Sequence, residues 1–354
     1  MASSSMLELA VNFGHRSLKR LTELNLNHQE SAEELLWKRS EFTGLVPSGS
    51  VSAGGSCRLL PTIDGWCAVN LPREDDLELL PAWLGVEAQE EVPWESISDQ
   101  LRTRPTDIVV RSGQELGLAI SALPSGEEDE QLQFRGTANA ARPWIVRRVG
   151  EQTGAKNVED LRVVDLSSLW AGPLCARFLT VAGAHVTKIE SISRPDGARC
   201  GNAEFFSWLH GGQSLKSVPF ATADGVGHLK EIIANADVVI EGSRPRALDR
   251  LGIIPAEVVS NRPGMVWVSI TAYGRCGPWC NWVGFGDDAA VAGGLVEQNV
   301  SGPSFVSDAI ADPLTGMVAA ALVAGAVAAG GGVTIDLALR EVARSAARGA
   351  VVVW

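Results

Sequence analysis

From Leu161 onward the chain alternates short apolar runs with segments of helical periodicity, and few folds satisfy that order. Arg162-Val163-Val164-Asp165-Leu166 reads as a strand, Pro173 to Gly183 as a helix and His185 to Glu190 as a second strand. A helix within Ala223 to Ala234 and strands at Asp237 to Glu241 and Met265 to Ile270 follow. Alternation of this kind calls for a parallel sheet with helices on both faces. Residues 161–354 are therefore expected to form a Rossmann-like α/β domain whose ligands sit at the carboxyl ends of the strands.

Upstream the pattern differs. Residues 1–45 mix charged and apolar positions at helical spacing, as in Glu33-Glu34-Leu35-Leu36-Trp37, and predict a helical lead-in. Pro47-Ser48-Gly49-Ser50 and Gly54-Gly55-Ser56 then break the chain. After them, Arg58-Leu59-Leu60, Asp64-Gly65 and Trp66-Cys67-Ala68-Val69-Asn70 read as strand, turn and strand. A small α+β domain is expected over 46–124. The acidic run Ser125-Gly126-Glu127-Glu128-Asp129-Glu130 lacks apolar periodicity and opens a linker expected to reach residue 160.

At 354 residues and 45% apolar content there is enough material for two cores. The net charge of −12 argues against a nucleic-acid or anionic-membrane surface, because phosphates are bound through clustered Lys and Arg. Any anionic ligand must meet a local cationic pocket. Val318 to Val333 is Ala- and Gly-rich and short for a bilayer, which favours a buried helix over a membrane anchor. The first residues carry no basic stretch followed by an apolar one, so the expected location is cytoplasmic. Cys57, Cys67, Cys175, Cys200, Cys276 and Cys280 lack the paired spacings of a zinc site; no metal is expected, and reduced, buried thiols are. Cys276 and Cys280, separated by Gly-Pro-Trp, are a weak redox signal.

Three loops have chemical potential. The first strand runs into Ser167-Ser168-Leu169-Trp170-Ala171-Gly172-Pro173, where a helix N-terminus offers backbone N–H groups at Ala171 and Gly172 to a phosphate or oxyanion. The loop has no G-x-G-x-x-G, so a dinucleotide site is not supported despite Glu190 at the end of the second strand. The third strand leads into Glu241-Gly242-Ser243-Arg244-Pro245-Arg246-Ala247-Leu248-Asp249-Arg250. These arginines are candidates for holding cofactor phosphates, or Arg246 and Arg250 pair with Asp249 on a helix surface. In Ala311-Asp312-Pro313-Leu314-Thr315-Gly316-Met317, the aspartate before proline reads locally as a helix N-cap.

The stretch from Val163 to Glu190 closely resembles the opening of type III CoA-transferases, the CaiB/BaiF family, and so does Arg194-Pro195-Asp196-Gly197-Ala198-Arg199. Ala236 to Gly252, Val266 to Gly274 and Ala311 to Met317 resemble later motifs of that family in the same order. The resemblance covers roughly Leu161 to Ala346, and more loosely Asp64 to Asn70, which looks like a piece of the family's small domain placed ahead of the Rossmann-like half.

The resemblance implies a transferase that moves CoA from an acyl-CoA thioester to a carboxylic acid, as an expected homodimer. It assigns the nucleophile to Asp312, whose carboxylate attacks the thioester to form a mixed anhydride. The CoA thiolate then returns to the enzyme-bound group, giving an aspartyl-CoA thioester for an incoming acid. It also implies coenzyme A contacts at Trp170, Ala171, Gly242, Ser243, Arg244, Arg250 and Phe285. Gly242-Ser243 and His210-Gly211-Gly212-Gln213-Ser214 depart from the family pattern and thin the cationic contacts. Racemases of the same fold use a histidine where this chain has Phe285, so proton shuttling at an α-carbon is disfavoured. An acyl-CoA racemase and a non-catalytic CoA-binding protein stand as alternatives. A helix dipole at Asp312 is expected to hold its carboxylate ionised.

Overall fold

In a computed structural model, which describes residues 5–85, 92–125, 142–352 and 354, the chain opens with three helices: α1 (Met6–Glu23), α2 (Ala32–Leu36) and α3 (Lys38–Thr43). Ser5 and Ser31 cap α1 and α2, each accepting from the N–H of a glutamate three residues on. Strands β1 (Cys57–Pro61), β2 (Trp66–Asn70) and β3 (Ala119–Ala122) form an antiparallel sheet, with α4 (Thr106–Leu116) between the last two. The Asp64-Gly65 hairpin lies where expected. Asp64 Oδ1 also accepts from the Thr106 N–H at 2.9 Å, tying the hairpin to the start of α4.

The larger sheet comprises β4 (Trp144–Arg148), β5 (Arg162–Asp165), β6 (His185–Ser191), β7 (Ser214–Val218), β8 (Val238–Glu241), β9 (Val266–Thr271) and β12 (Val333–Ala338). β10 (Glu297–Asn299) and β11 (Gly302–Ser304) form a separate hairpin. The strand order β4-β12-β9-β8-β5-β6-β7 is parallel except at β4, which runs antiparallel to β12 along the edge. The α/β class read from the sequence is what the chain adopts. The helices are α5 (Ala171–Val181), α6 (Ala203–His210), α7 (Ala223–Ala234), α8 (Pro245–Arg250), α9 (Gly286–Ala292), α10 (Ala311–Ala328) and α11 (Leu339–Ala347), with shorter turns between them.

One expectation changes. The stretch read as a linker to residue 160 contributes β4, an edge strand that forms the sheet's first element in chain order; the acidic run at 126–130 lies outside the described residues. The helical lead-in packs into the main core. Ala10, Phe13, Leu21, Leu35 and Leu36 are buried in the same core as β8, β9 and α10. Gly14 makes that packing possible, since a Cβ there would lie 2.8 Å from Ala32 Cβ and 3.1 Å from Met317 Cε.

Helix α10 is long and apolar enough to cross a membrane, but fourteen of its eighteen residues are buried in this core. It ends at Gly330-Gly331-Gly332, all in the left-handed region, and the chain reverses there into β12. Gly331 also packs directly on the backbone of Gly264, leaving no room for a side chain. Of the cysteines, Cys57, Cys67 and Cys175 are buried as expected, Cys276 and Cys280 are half-buried, and Cys200 is exposed; none of the six is in a disulfide.

Candidate active site

The sheet places β5 between β6 and β8, so the chain leaves β5 in one direction and returns to lay β8 on its other side. Crevices open at such reversals. The loops after β5 and β8 meet there: a Cβ on Gly242 would lie 3.5 Å from the Ile270 carbonyl oxygen and 3.7 Å from Ser167 Cβ. Asp165 Oδ1 accepts from the Ser167 N–H at 2.9 Å, and Asp196 Oδ1 from the Leu169 N–H at 3.0 Å. Lys188, fully buried, lies 3.0 Å from Asp196 and 3.8 Å from Asp165 and donates to the Ser167 carbonyl. This network forces Leu169 into the left-handed region at φ 71° and turns Trp170 inward, where its ring packs edge-on against Phe205.

Trp170 caps α5, which starts at Ala171, two residues before the proline taken as its first residue. Helix α10 crosses α5 closely because residue 316 is glycine; a Cβ would lie 2.8 Å from both the Ala171 carbonyl and Leu174 Cβ. Gly316 is one turn along from Asp312, so this crossing brings Asp312 to the Trp170-Ala171 end of the crevice.

Asp312 is not the N-cap. Ile310 holds that position, and Asp312 sits inside the first turn, where its side chain makes no capping bond and its N–H donates to the Ala309 carbonyl at 2.8 Å. Pro313 falls where helix N–H groups lack intrahelical partners and so costs nothing. Nor does the helix end hold the carboxylate ionised. Burial pushes it up to about 7, with Arg39 opposing and Asp287 and Asp308 adding to the rise. Among the described residues no group hydrogen-bonds this carboxylate.

Three neighbours escaped the sequence reading. Arg39 of α3 donates through Nε to Asp308 Oδ2 at 2.6 Å and through Nη2 to Oδ1, and its guanidinium lies 5.3 Å from the Trp170 ring centre. Asp287 Oδ1 accepts from the Ala309 N–H at 2.9 Å; burial and Asp308 raise it to about 6. Asp288 is raised to about 8 by burial, although Asn70 Nδ2 and the Phe285 N–H both donate to its Oδ1. Two adjacent carboxylates in the apolar stretch Gly284 to Gly294 were a usable signal, because buried charges are expensive unless compensated. Arg39 left no such trace.

The small sheet fixes this edge of the site. Gln114 of α4 donates to the Val283 carbonyl and accepts from its N–H at 2.8 and 2.7 Å, and Ser121 Oγ donates to the Asp288 carbonyl at 2.8 Å. Phe285 therefore caps α9 with its backbone at a fixed place, and Gly286 packs against Asp312.

The residues expected to contact the cofactor divide into two sets. Asp312, Trp170, Ala171 and the Phe285-Gly286 backbone are assembled together. Gly242, Ser243 and Arg244 lie at the neighbouring crevice loop, where the Ser243 N–H donates to the buried Glu241 at 2.7 Å. Arg244 is exposed, and its guanidinium is pulled below its ordinary range by partial burial and by the charges of Arg73, Arg194 and Arg246. Arg250, exposed at the end of α8, has no described contact with Asp312 or Trp170. Asp249 turns 4.0 Å from Arg275 and not to Arg246 or Arg250, so the ion-pair alternative for that helix does not hold. Among the described residues no cluster of His, Cys, Asp and Glu is arranged to hold a metal.

Residues 158–352, more than half of the chain, match the model of CoA-transferase family III. The chain belongs to this family. The family III stretch is 32% identical over 187 residues to the (R)-2-hydroxy-4-methylpentanoate CoA-transferase of Clostridioides difficile, covering 49% of this chain and 46% of that protein. It is 30% identical over 176 residues to the succinyl-CoA:glutarate CoA-transferase of Mus musculus, covering 48% and 40%. The chain thus spans less than half the length of these family III relatives. A solved CaiB/BaiF family protein from Brucella suis superposes with a TM-score of 0.49 at 27% identity, over 54% of this chain and 55% of that one.

Proposed function

We propose that this chain transfers coenzyme A from an acyl-CoA thioester to a carboxylic acid, with Asp312 as covalent nucleophile. The observation that carries the proposal is the state of Asp312: a buried carboxylate, free of hydrogen bonds from described residues, at the crevice end of a rigid helix in a family III chain. Such a group is poorly solvated and sits where incoming substrate is the best partner for its charge.

In the proposed reaction one Asp312 oxygen adds to the thioester carbonyl, the C–S bond breaks and the CoA thiolate leaves, giving a mixed anhydride. The thiolate attacks the aspartyl carbonyl, releasing the donor acid and leaving an aspartyl-CoA thioester. The acceptor carboxylate displaces CoA to form a second anhydride. Attack of the thiolate on the acceptor carbonyl then yields the new acyl-CoA and frees Asp312. No proton is gained or lost over the cycle. Burial favours each anhydride, because water would hydrolyse it. Gly242, Ser243 and Arg244 are proposed to hold the CoA end of the substrate at the adjoining loop, with Arg250 further along it.

The test is to incubate the full chain with a panel of acyl-CoA thioesters, trap with hydroxylamine and map the modified residue by mass spectrometry. Labelling at Asp312 that disappears in Asp312→Ala is expected. CoA binding without labelling by any thioester would point to a binding protein. Deuterium exchange at the α-carbon without transfer would point to a racemase.

A further inference from the structure

We infer that Arg39 is a positioning residue for Asp312: clamped by both oxygens of Asp308 and lying over the Trp170 ring, it fixes a positive charge near the carboxylate that attacks. The inference rests on Asp312 being the nucleophile and reaches outside the family III match, which begins at residue 158.

The segment bearing Arg39 is anchored without it. Ser307 Oγ donates to the Leu36 carbonyl at 2.8 Å, Asn202 Nδ2 donates to the Phe42 carbonyl at 3.2 Å, and Leu35 and Leu36 are buried in the main core. The guanidinium is then held on two sides. A bidentate fork on Asp308 fixes its plane, and the Trp170 face fixes its height. Lysine offers the charge but not the fork.

The charged groups acting on Asp312 come from three elements: Arg39 from α3, Asp287 from α9 and Asp308 from the turn before α10. Asp288, next in sequence, bonds instead to Asn70 and the Phe285 N–H. Two like charges and burial favour the protonated, non-nucleophilic form of Asp312, and Arg39 opposes them. Asp308 repels Asp312 but holds the cation in place; it is a clamp on Arg39.

The experiment reads acylation of Asp312 in the full chain as a function of pH, with acylation at each pH followed by hydroxylamine trapping under one common condition. Arg39→Met is expected to raise the midpoint by about one pH unit or more, so that labelling at pH 7 falls about fivefold or more and recovers as pH rises. Arg39→Lys should move it less. Asp308→Asn, which removes a like charge, should move it downward. Opposite displacements in Arg39→Met and Asp308→Asn support the inference, since a merely structural role lowers labelling at every pH alike. Midpoints unmoved in folded Arg39→Met and Asp308→Asn overturn it while leaving the nucleophile intact. If Arg39→Met does not fold by circular dichroism, the Asp308→Asn and Arg39→Lys displacements decide. A wild-type chain unlabelled at every pH overturns the nucleophile and this role together.

Discussion

Gly286→Ala tests whether the position of Asp312, the proposed nucleophile, is set by backbone contact. A methyl group there would lie 2.5 Å from Asp312 Oδ2, 2.6 Å from the Ala309 carbonyl oxygen and 2.7 Å from Ala309 Cβ. Carbon–oxygen contacts relax only near about 3.3 Å, so something retreats by roughly 0.8 Å. Ala309 is poorly able to move: its N–H donates to Asp287, its carbonyl accepts from Asp312, and its backbone is already in the left-handed region at φ 42°. The carboxylate is left to swing. Overpacking of this kind costs about 1–3 kcal/mol, and a displacement near 1 Å at a reacting atom costs about 100-fold in rate. Single-turnover labelling of Asp312 by an acyl-CoA, read beside CoA binding by calorimetry and unfolding in urea, separates the two effects. We expect labelling to fall about 100-fold with CoA binding retained. A folded Gly286→Ala chain that labels at the wild-type rate would refute the idea that this approach confines Asp312.

Asp312→Asn should change the pH dependence of stability. Because the folded carboxyl is raised to about 7, its contribution is fully present below the unfolded value near pH 4 and is lost as pH rises through 7. Asn never takes the charge, so its stability relative to wild type should be about 2 kcal/mol greater at pH 8.5 than at pH 5.5, measured by urea unfolding; an equal difference at both pH values contradicts the assignment. Asn70→Ala should cost about 1–3 kcal/mol by leaving buried Asp288 short of a donor, and an unchanged unfolding midpoint would show that the small sheet does not brace α9 through this bond. Gly316→Ala, whose Cβ would meet the Ala171 carbonyl at 2.8 Å, should destabilise by about 1–3 kcal/mol. A thermal midpoint equal to wild type would mean that the α5–α10 crossing relaxes freely.

The strands of the parallel sheet were legible because β5, β8 and β9 are buried on both faces and read as unbroken apolar runs. β4 was hidden for the opposite reason. Only Trp144 and Ile145 are buried, Val146, Arg147 and Arg148 are exposed, and an antiparallel edge strand breaks the strand-helix-strand rhythm. The Asp-Pro pair correctly marked a helix start, but such a signal cannot separate a cap from a residue two places inside. Asp312 was singled out by its motif; the height of its carboxyl's proton affinity was not legible, because that depends on burial by distant segments. Arg39 and Asp308 are 269 residues apart, and no local pattern announces a pair closed only by the tertiary fold.

The recognisable family stretch begins at residue 158, yet α1 to α3 and β4 lie ahead of it and cover, respectively, the Ala-rich helix and the edge of the sheet. A recombination event cutting at that point would carry away Asp312 and leave behind Arg39 and the helices that shelter it. The stretch that matches the family is therefore smaller than the stretch that packs into one core, and exchanges of segments at residue 158 should succeed only when the upstream helices travel with them.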